Sequence, residues 1–402
     1  MLTKAELRDN RYFTVFLACM VALGPLSVDA YLPAIPKMAD FFGTNIATVN
    51  LTMSSFLIGS AIGQFFGGAL SDQLGRKTIG LIGICFFIIS TLFILFADNI
   101  ATVQLFRLTQ AIGSGFASVV CLAQVRDLYP KDEVMRRFAN VMFVMFLAPL
   151  FGPTLGAGLV QFGWHSIFIF LAAWSLLIFI VYVLFVPETI NEKTEKFCFR
   201  ELFTGYLRVI NHRIDTRLVA SRYILFGGIS SGIFMTFLTN SALIFMEYFK
   251  ASEFQFAVIF GAHAFMLMVG NRAAVKLSNL KGHSGLKILR LMNLLQLTLT
   301  ISLLLAAFFD LLSLAGVLIF TLLTIGVNGA INPTTAGLFI VHFDKNAGAA
   351  SSLKTTAIFI SGAIFGGLAA VLSNGSLLPV FAIMALCSLM ARGVLLTIRE
   401  HN

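Results

Sequence analysis

Long uninterrupted apolar runs recur along this chain and constrain its fold more than any other feature. A helix that crosses a bilayer needs about 20 mainly apolar residues. Twelve runs approach or exceed that length, at 12–32, 49–70, 78–97, 101–125, 138–160, 166–186, 218–245, 255–275, 291–309, 314–340, 351–373 and 377–397. Their residues are continuously apolar rather than alternating, which excludes an outer-membrane β-barrel. The sequence therefore predicts an all-α membrane protein with twelve transmembrane helices, embedded in a lipid bilayer.

Lysines and arginines are concentrated in alternate loops. One set of loops, which includes both ends of the chain and the loop 342–354 with Lys354, holds 25 of the 28 basic residues. The opposite set holds two, and Arg107 alone remains inside a predicted span. Because basic loops stay in the cytoplasm, both termini are expected there. This bias accounts for the net charge of +9, so no nucleic-acid partner is predicted.

A polar stretch separates the twelve runs into two sets of six. We expect an N-terminal six-helix lobe at 1–186, a cytoplasmic linker at 187–217 and a C-terminal six-helix lobe at 218–402. Part of the linker, 200–214, has the pattern of a helix on the membrane surface. The first run is expected to be a retained helix, because no small-residue cleavage site follows it.

Small residues predict packing rather than binding chemistry. The five cysteines form no CxxC pair and are interpreted as packing residues, so no metal site is predicted. Gly59, Gly63 and Gly67 recur every four residues and predict a packing seam between the two lobes. This seam is no evidence of a dimer, and a monomer is expected.

The turn between the second and third runs carries a distinctive pattern, G-x-L-x-D-x-x-G-R-K. Its defining residues are Gly68, Asp72, Gly75, Arg76 and Lys77. Gly75 permits a tight turn, and Asp127 at the end of the fourth run is placed to pair with Arg76. The loop resembles the signature loop of the major facilitator superfamily. That resemblance implies two six-helix bundles around a central cavity, with this loop and Asp127 as a conformational latch.

The fifth run contains prolines and glycines at close spacing. They are Pro149, Gly152, Pro153 and Gly156. Small residues four apart allow a neighbouring helix to approach closely, and each proline removes a backbone donor. The pattern G-P-x-x-G resembles the antiporter signature of facilitator exporters, which implies export rather than uptake.

Two charged residues remain inside the predicted spans, Asp29 and Arg107. Ionisable groups at membrane depth usually face a cavity or a partner, and removing a carboxyl group from water favours its protonated form. We therefore predict that Asp29 couples transport to protons, with Arg107 as its partner. Arg107 and Gln110 form an R-x-x-Q element similar to one implicated in proton transfer. The string D-x-Y-L-P-A-x-P at Asp29 resembles the Bcr/CflA subfamily of drug/proton antiporters.

The resemblance implies proton-coupled efflux of small drug-like compounds, of multidrug or chloramphenicol/bicyclomycin type, by alternating access in a bacterial inner membrane. A proton gradient takes the place of a cofactor. Candidate cavity residues are Asp29, Tyr31, Gln110, Met145, Phe234, Phe237, Asn240, Phe265 and Asn332, whereas His263 is expected to be a hydrogen-bonded interior residue. A dedicated exporter of a siderophore, sugar or nucleoside remains an alternative. A membrane-embedded enzyme is disfavoured, because the spans hold no catalytic constellation, and a channel is a further disfavoured alternative.

Overall fold

The computed structural model describes residues 3–190, 199–214, 217–278, 284–343 and 347–398, and these are almost entirely helical. The helices are α1 (Lys4–Asp9), α2 (Arg11–Val21), α3 (Leu23–Asp29), α4 (Ile35–Phe41), α5 (Ile46–Leu74), α6 (Arg76–Leu95), α7 (Ile100–Leu128), α8 (Lys131–Leu159), α9 (His165–Phe185), α10 (Phe199–Ile210), α11 (Val219–Ala242), α12 (Glu253–Ser278), α13 (Gly285–Phe308), α14 (Leu314–Ile340), α15 (Ala347–Leu372) and α16 (Leu378–Leu396). A π-helical segment, Leu243–Tyr248, extends α11. Two-residue strands, β1 (Arg213–Ile214) and β2 (Arg217–Leu218), pair antiparallel just before α11.

The spans agree in number with the apolar runs. Within the described ranges, 11 helices are long and apolar enough to cross a membrane, and the number is 12 if one bent pair forms a single span. This pair, Tyr12–Val21 and Leu23–Phe41, is bent by 48°. Pro25 explains the break, because it has no N–H to donate to the carbonyl of Val21. The first run was predicted as one helix over 12–32, and the structure corrects it to a broken span that continues to Phe41.

The backbone divides into two units. One comprises Met1–Asn45 and Ser55–Phe199, and the other comprises Ile46–Ser54 and Arg200–Asn402. The first unit holds the broken span, most of α5 and α6–α9, and the second holds α11–α16 with the beginning of α5. Helix α10 confirms a helix in the predicted linker, over a shorter range than 200–214. Its exposed apolar residues Phe203, Leu207 and Ile210 lie on one face.

The glycine seam of α5 lies inside the first unit. A Cβ atom on Gly59 would overlap the carbonyl oxygen of Leu108, and one on Gly63 would lie 2.6 Å from the carbonyl oxygen of Ile112. A Cβ on Gly67 would lie 3.0 Å from the ring carbon Cδ1 of Phe116. The seam therefore packs α5 against α7, and its predicted place between the lobes was wrong.

Helices α11 and α15 pack side by side within the second unit. A Cβ on Gly228 would lie 3.2 Å from the carbonyl oxygen of Ala357, and one on Gly232 would lie 2.6 Å from Oγ of Ser361. Lys354 belongs to this contact, as the eighth residue of α15. It was counted among the bases of the loop 342–354, whereas the structure places it inside α15, which begins at Ala347.

Candidate functional site

Asp29 is the last residue of α3 and is buried against α8. Asp29 is 4% exposed. A Cβ added to Gly152 of α8 would lie 2.7 Å from the Cβ atom of Asp29. One turn further along α8, a Cβ on Gly156 would overlap the carbonyl oxygen of Ala30. Only glycine allows α8 to approach this closely. Within the described part of the chain, the Asp29 carboxyl group has no hydrogen-bond or ion-pair partner.

The prolines of α8 lie inside the helix rather than at its ends. Pro149 and Pro153 are both interior positions of α8. Each lacks the N–H that would bond to the carbonyl four residues earlier, at Met145 and Pro149. The antiporter-type pattern thus has two parts here, glycines that contact α3 and prolines that loosen the helix beside them. Met145 lies on this helix, but its side chain is outside the described set.

Arg107 is fully buried in α7 and contacts residues on either side of Asp29 in sequence. One guanidinium nitrogen, Nη1, donates to the backbone oxygen of Ser27 at 3.2 Å. The guanidinium carbon lies 4.5 Å from the ring centre of Tyr31 and 4.3 Å from that of Phe56. Such cation–π contacts stabilise a desolvated cation. Arg107 therefore contacts the same segment that carries Asp29, at Ser27 and Tyr31, although the two charged residues form no ion pair with each other.

A polar relay continues from Arg107 to α6. Arg107 Nη1 donates to Oε1 of Gln110 at 2.8 Å, and Nε2 of Gln110 donates to the hydroxyl of Thr91 at 2.7 Å. Thr91 in turn donates to the backbone oxygen of Phe87. The predicted pair Arg107 and Gln110 is thus brought together, whereas Thr91 gave no signal in the sequence.

The predicted latch residues meet at the turn between α5 and α6. Arg76 is the centre, with Nη1 2.5 Å from Oδ1 of Asp72 and Nε 2.9 Å from Oδ2 of Asp127. Its Nη1 also donates to the hydroxyl of Ser71, which donates to the backbone oxygen of Gly68. The side chain of Arg76 is 4% exposed, so these bonds act away from bulk water. Gly75 has φ of +104°, a conformation that favours glycine.

Glu188 completes this cluster and was missed by the sequence analysis. Its carboxylate accepts from the backbone N–H of Arg76 at 2.9 Å and of Lys77 at 3.2 Å. A carboxylate suits the N-terminus of α6, whose first N–H groups have no partner within the helix. Lys77 Nζ donates to the backbone oxygen of Val183 at 3.1 Å. The first six-span unit is therefore closed by contacts between residues more than 100 positions apart.

The candidate cavity residues of the second unit have different environments. Phe237 is buried and lies 4.6 Å from the ring of His263, and Asn240 donates to backbone oxygens of its own helix and of α15. Phe265, by contrast, is 59% exposed, and Phe234 is half-buried. His263 bonds to the backbone oxygen of Ile259 and to the hydroxyl of Thr321. This confirms His263 as a hydrogen-bonded interior residue.

Comparison with known proteins defines the family. Residues 17–367 match the model of the Major Facilitator Superfamily, and the chain belongs to this family of multi-pass membrane transporters. Two solved structures share the fold. A D-xylose-proton symporter superposes with a TM-score of 0.72 at 15% identity, covering 95% of this chain and 97% of that one. A POT family transporter reaches 0.75 at 14%, covering 97% and 96%. The predicted facilitator fold is confirmed.

Curated relatives agree with the drug/proton antiporter resemblance. An uncharacterized transporter of Rickettsia bellii is 29% identical over 62% of this chain and 60% of its own length. The multidrug transporter MdfA of Edwardsiella ictaluri is 29% identical over the same shares. A bicyclomycin resistance protein homolog of Haemophilus influenzae is 25% identical over 93% of both chains. The matched stretch thus spans about three fifths of the first of these relatives.

Proposed function

We propose that this protein exports small drug-like compounds in exchange for protons, by alternating access, in a bacterial inner membrane. The observation that carries this proposal is the setting of Asp29, buried where the α8 glycines pack on α3. Relatives named for bicyclomycin resistance and multidrug transport support drug-like compounds as cargo. The bias of lysine and arginine in the loops supports cytoplasmic termini.

Asp29 is assigned the coupling of proton and cargo. Burial favours the protonated form of a carboxyl group, and this one has no partner among the described residues. A proton or a donor group of the cargo can therefore occupy it in turn. Arg107 is held beside the same helix by Ser27 and Tyr31. Its fixed positive charge favours the ionised carboxylate when Asp29 is brought near it.

The membrane potential can drive this exchange. One positive charge that moves inward across 100 mV releases about 2.3 kcal/mol. That free energy supports a concentration ratio of about 50-fold for a neutral compound, before any pH gradient is added. One proton passed by the coupling acid for each neutral molecule exported would support that ratio.

The proposal is tested with Asp29→Asn in a strain that lacks its own efflux pumps. We expect loss of resistance to chloramphenicol, bicyclomycin and ethidium, and loss of drug-evoked proton release from the purified protein. Asp40→Asn is the matched control, because Asp40 is exposed and lies on the same broken span. If Asp29→Asn pumps like wild type between about pH 6 and about pH 8, the assigned role is refuted.

The role of Arg107 is tested separately. Arg107→Ala removes the contacts to Ser27 and Gln110, and Arg107→Lys keeps the charge without the planar fork that makes them. We expect both to reduce export, with the lysine variant retaining more of the proton release. An Arg107→Ala protein with wild-type export would exclude Arg107 from coupling.

A further inference from the structure

Lys354 is half-buried and reaches from α15 to α11 and α14 of the second unit. Its Cε atom would lie 3.7 Å from a Cβ on Gly227 of α11, so the stem packs along that helix. Its Nζ donates to the backbone oxygen of Asn332 on α14 at 3.4 Å. Asn332 lies eight residues before the end of α14, about 12 Å from that helix end. The ammonium group therefore lies well within the length of α14 rather than at the end of that helix.

Asn332, which binds this ammonium group through its backbone oxygen, belongs to a network of polar side chains from α11 and α14. We call Ser231, Asn328, Asn332 and Lys354 the Lys354 cluster. Ser231 donates to Oδ1 of Asn332 at 2.8 Å, and Nδ2 of Asn332 donates to Oδ1 of Asn328 at 2.9 Å. Asn328 then donates to the backbone oxygen of Ser230. The amide groups are thus held in fixed orientations by each other, and none of their side-chain oxygens accepts from Lys354.

Lys354 forms no ion pair with any residue that the structure describes. An ammonium group has three N–H donors, and within the described ranges Lys354 uses one, in a long bond to a neutral oxygen. The three acids of this unit whose side chains are described are Glu247, Glu253 and Asp310, each at or beyond the far end of its span. Glu247 lies 20 residues beyond Gly227, about 30 Å along the helix.

An uncompensated cation at membrane depth is expensive. Packing alone does not explain it, because a methionine would fill the same space beside Gly227 without the cost of the charge. Snorkelling does not explain it either, because the stem runs to α11 and α14 inside the unit. An oxyanion would neutralise the charge and accept from the two remaining donors.

We propose that the Lys354 cluster binds an oxyanionic group of the transported compound, a carboxylate or a phosphate. The inference rests on the proposed export function and adds a substrate class to it, acidic compounds. Lys354 supplies the charge, and the fixed amides of Asn328 and Asn332 keep the neighbouring surface polar. Discrimination between an acid and its uncharged amide is expected to be about tenfold, the usual effect of one charge-assisted hydrogen bond.

The test measures binding by the purified full-length protein in nanodiscs, from thermal unfolding at increasing probe concentration. Benzoate, salicylate and fusidate are the probes, each paired with its uncharged amide or ester. We expect wild type to bind at least one acid about tenfold more tightly than its uncharged partner. Lys354→Met should abolish that preference and Lys354→Arg should keep it. Lys276→Met, at an exposed site on α12, is the control. Lys354→Gln serves if the methionine variant does not fold.

Three results would overturn the assignment. Wild type shows no preference for any acid, or a neutral variant at Lys354 keeps the preference. The third such result is that anionic phosphatidylglycerol or inorganic phosphate alone produces the Lys354-dependent stabilisation. The ligand would then be a lipid headgroup or a free ion. The test is independent of proton coupling. It measures binding alone, so wild-type export by Asp29→Asn would refute the coupling role and leave the outcome at Lys354 unaffected.

Discussion

Gly152→Ala is the sharpest test of the contact between α3 and α8. A Cβ at this position would lie 2.7 Å from Cβ of Asp29, whereas ordinary contacts begin at 3.4 Å and extend to 4 Å. The two helices must therefore separate by about 1 Å to admit one methyl group, a change that typically costs about 1–3 kcal/mol. Displacement of a reacting group by about 1 Å can reduce a rate by about 100-fold. We expect export to fall at least about tenfold, because Asp29 itself is the displaced residue.

The assay pairs drug-evoked proton release in proteoliposomes with the thermal unfolding midpoint. For Gly152→Ala, we expect slower proton release and a midpoint lowered by about 2–10 °C. Gly158→Ala is the matched control on the same helix, since no atom lies within 4 Å of a Cβ there. That control should keep full activity, because alanine is the better helix former by about 1 kcal/mol. Wild-type release and stability for Gly152→Ala would refute the close contact.

Further predictions concern the turn and the relay. Glu188→Gln should lower the unfolding midpoint, because a charge at the α6 N-terminus is lost; an unchanged midpoint would show that the bond to the Arg76 N–H contributes nothing. Gly75→Ala should cost about 1–3 kcal/mol of unfolding free energy at φ of +104°, whereas Gly205→Ala, with open space around it, should not. Gln110→Leu should slow proton release without lowering protein yield; normal release would remove the relay from coupling.

The spans were predictable because hydropathy reports burial in lipid directly. The exceptions follow from effects that hydropathy does not measure. The break at Ala22 comes from the missing N–H of Pro25, which leaves the apolar run uninterrupted. Lys354 was counted with the loop 342–354, although the backbone is already helical from Ala347 in α15. Helix boundaries depend on backbone hydrogen bonds, and those bonds extend beyond the apolar residues.

The candidate site was predictable where its chemistry is local in sequence. Arg107 and Gln110 lie three apart on one helix, so their contact follows from helical geometry. Asp127 was placed near Arg76 because both lie at the same end of neighbouring spans. Glu188 was missed because it binds N–H groups more than 100 residues away, and no spacing rule links them. The separation of Asp29 from Arg107 also depends on side-chain packing that a sequence pattern does not contain.

Because of the glycine seam between them, we expect α5 and α7 to move together. Where Gly59 meets Leu108, main chain rests on main chain, and no side chain lies between them to bend or change rotamer. Arg107 directly precedes Leu108 in α7. We therefore expect a displacement of α5 near Asp72 to move α7, and with it the buried guanidinium group of Arg107.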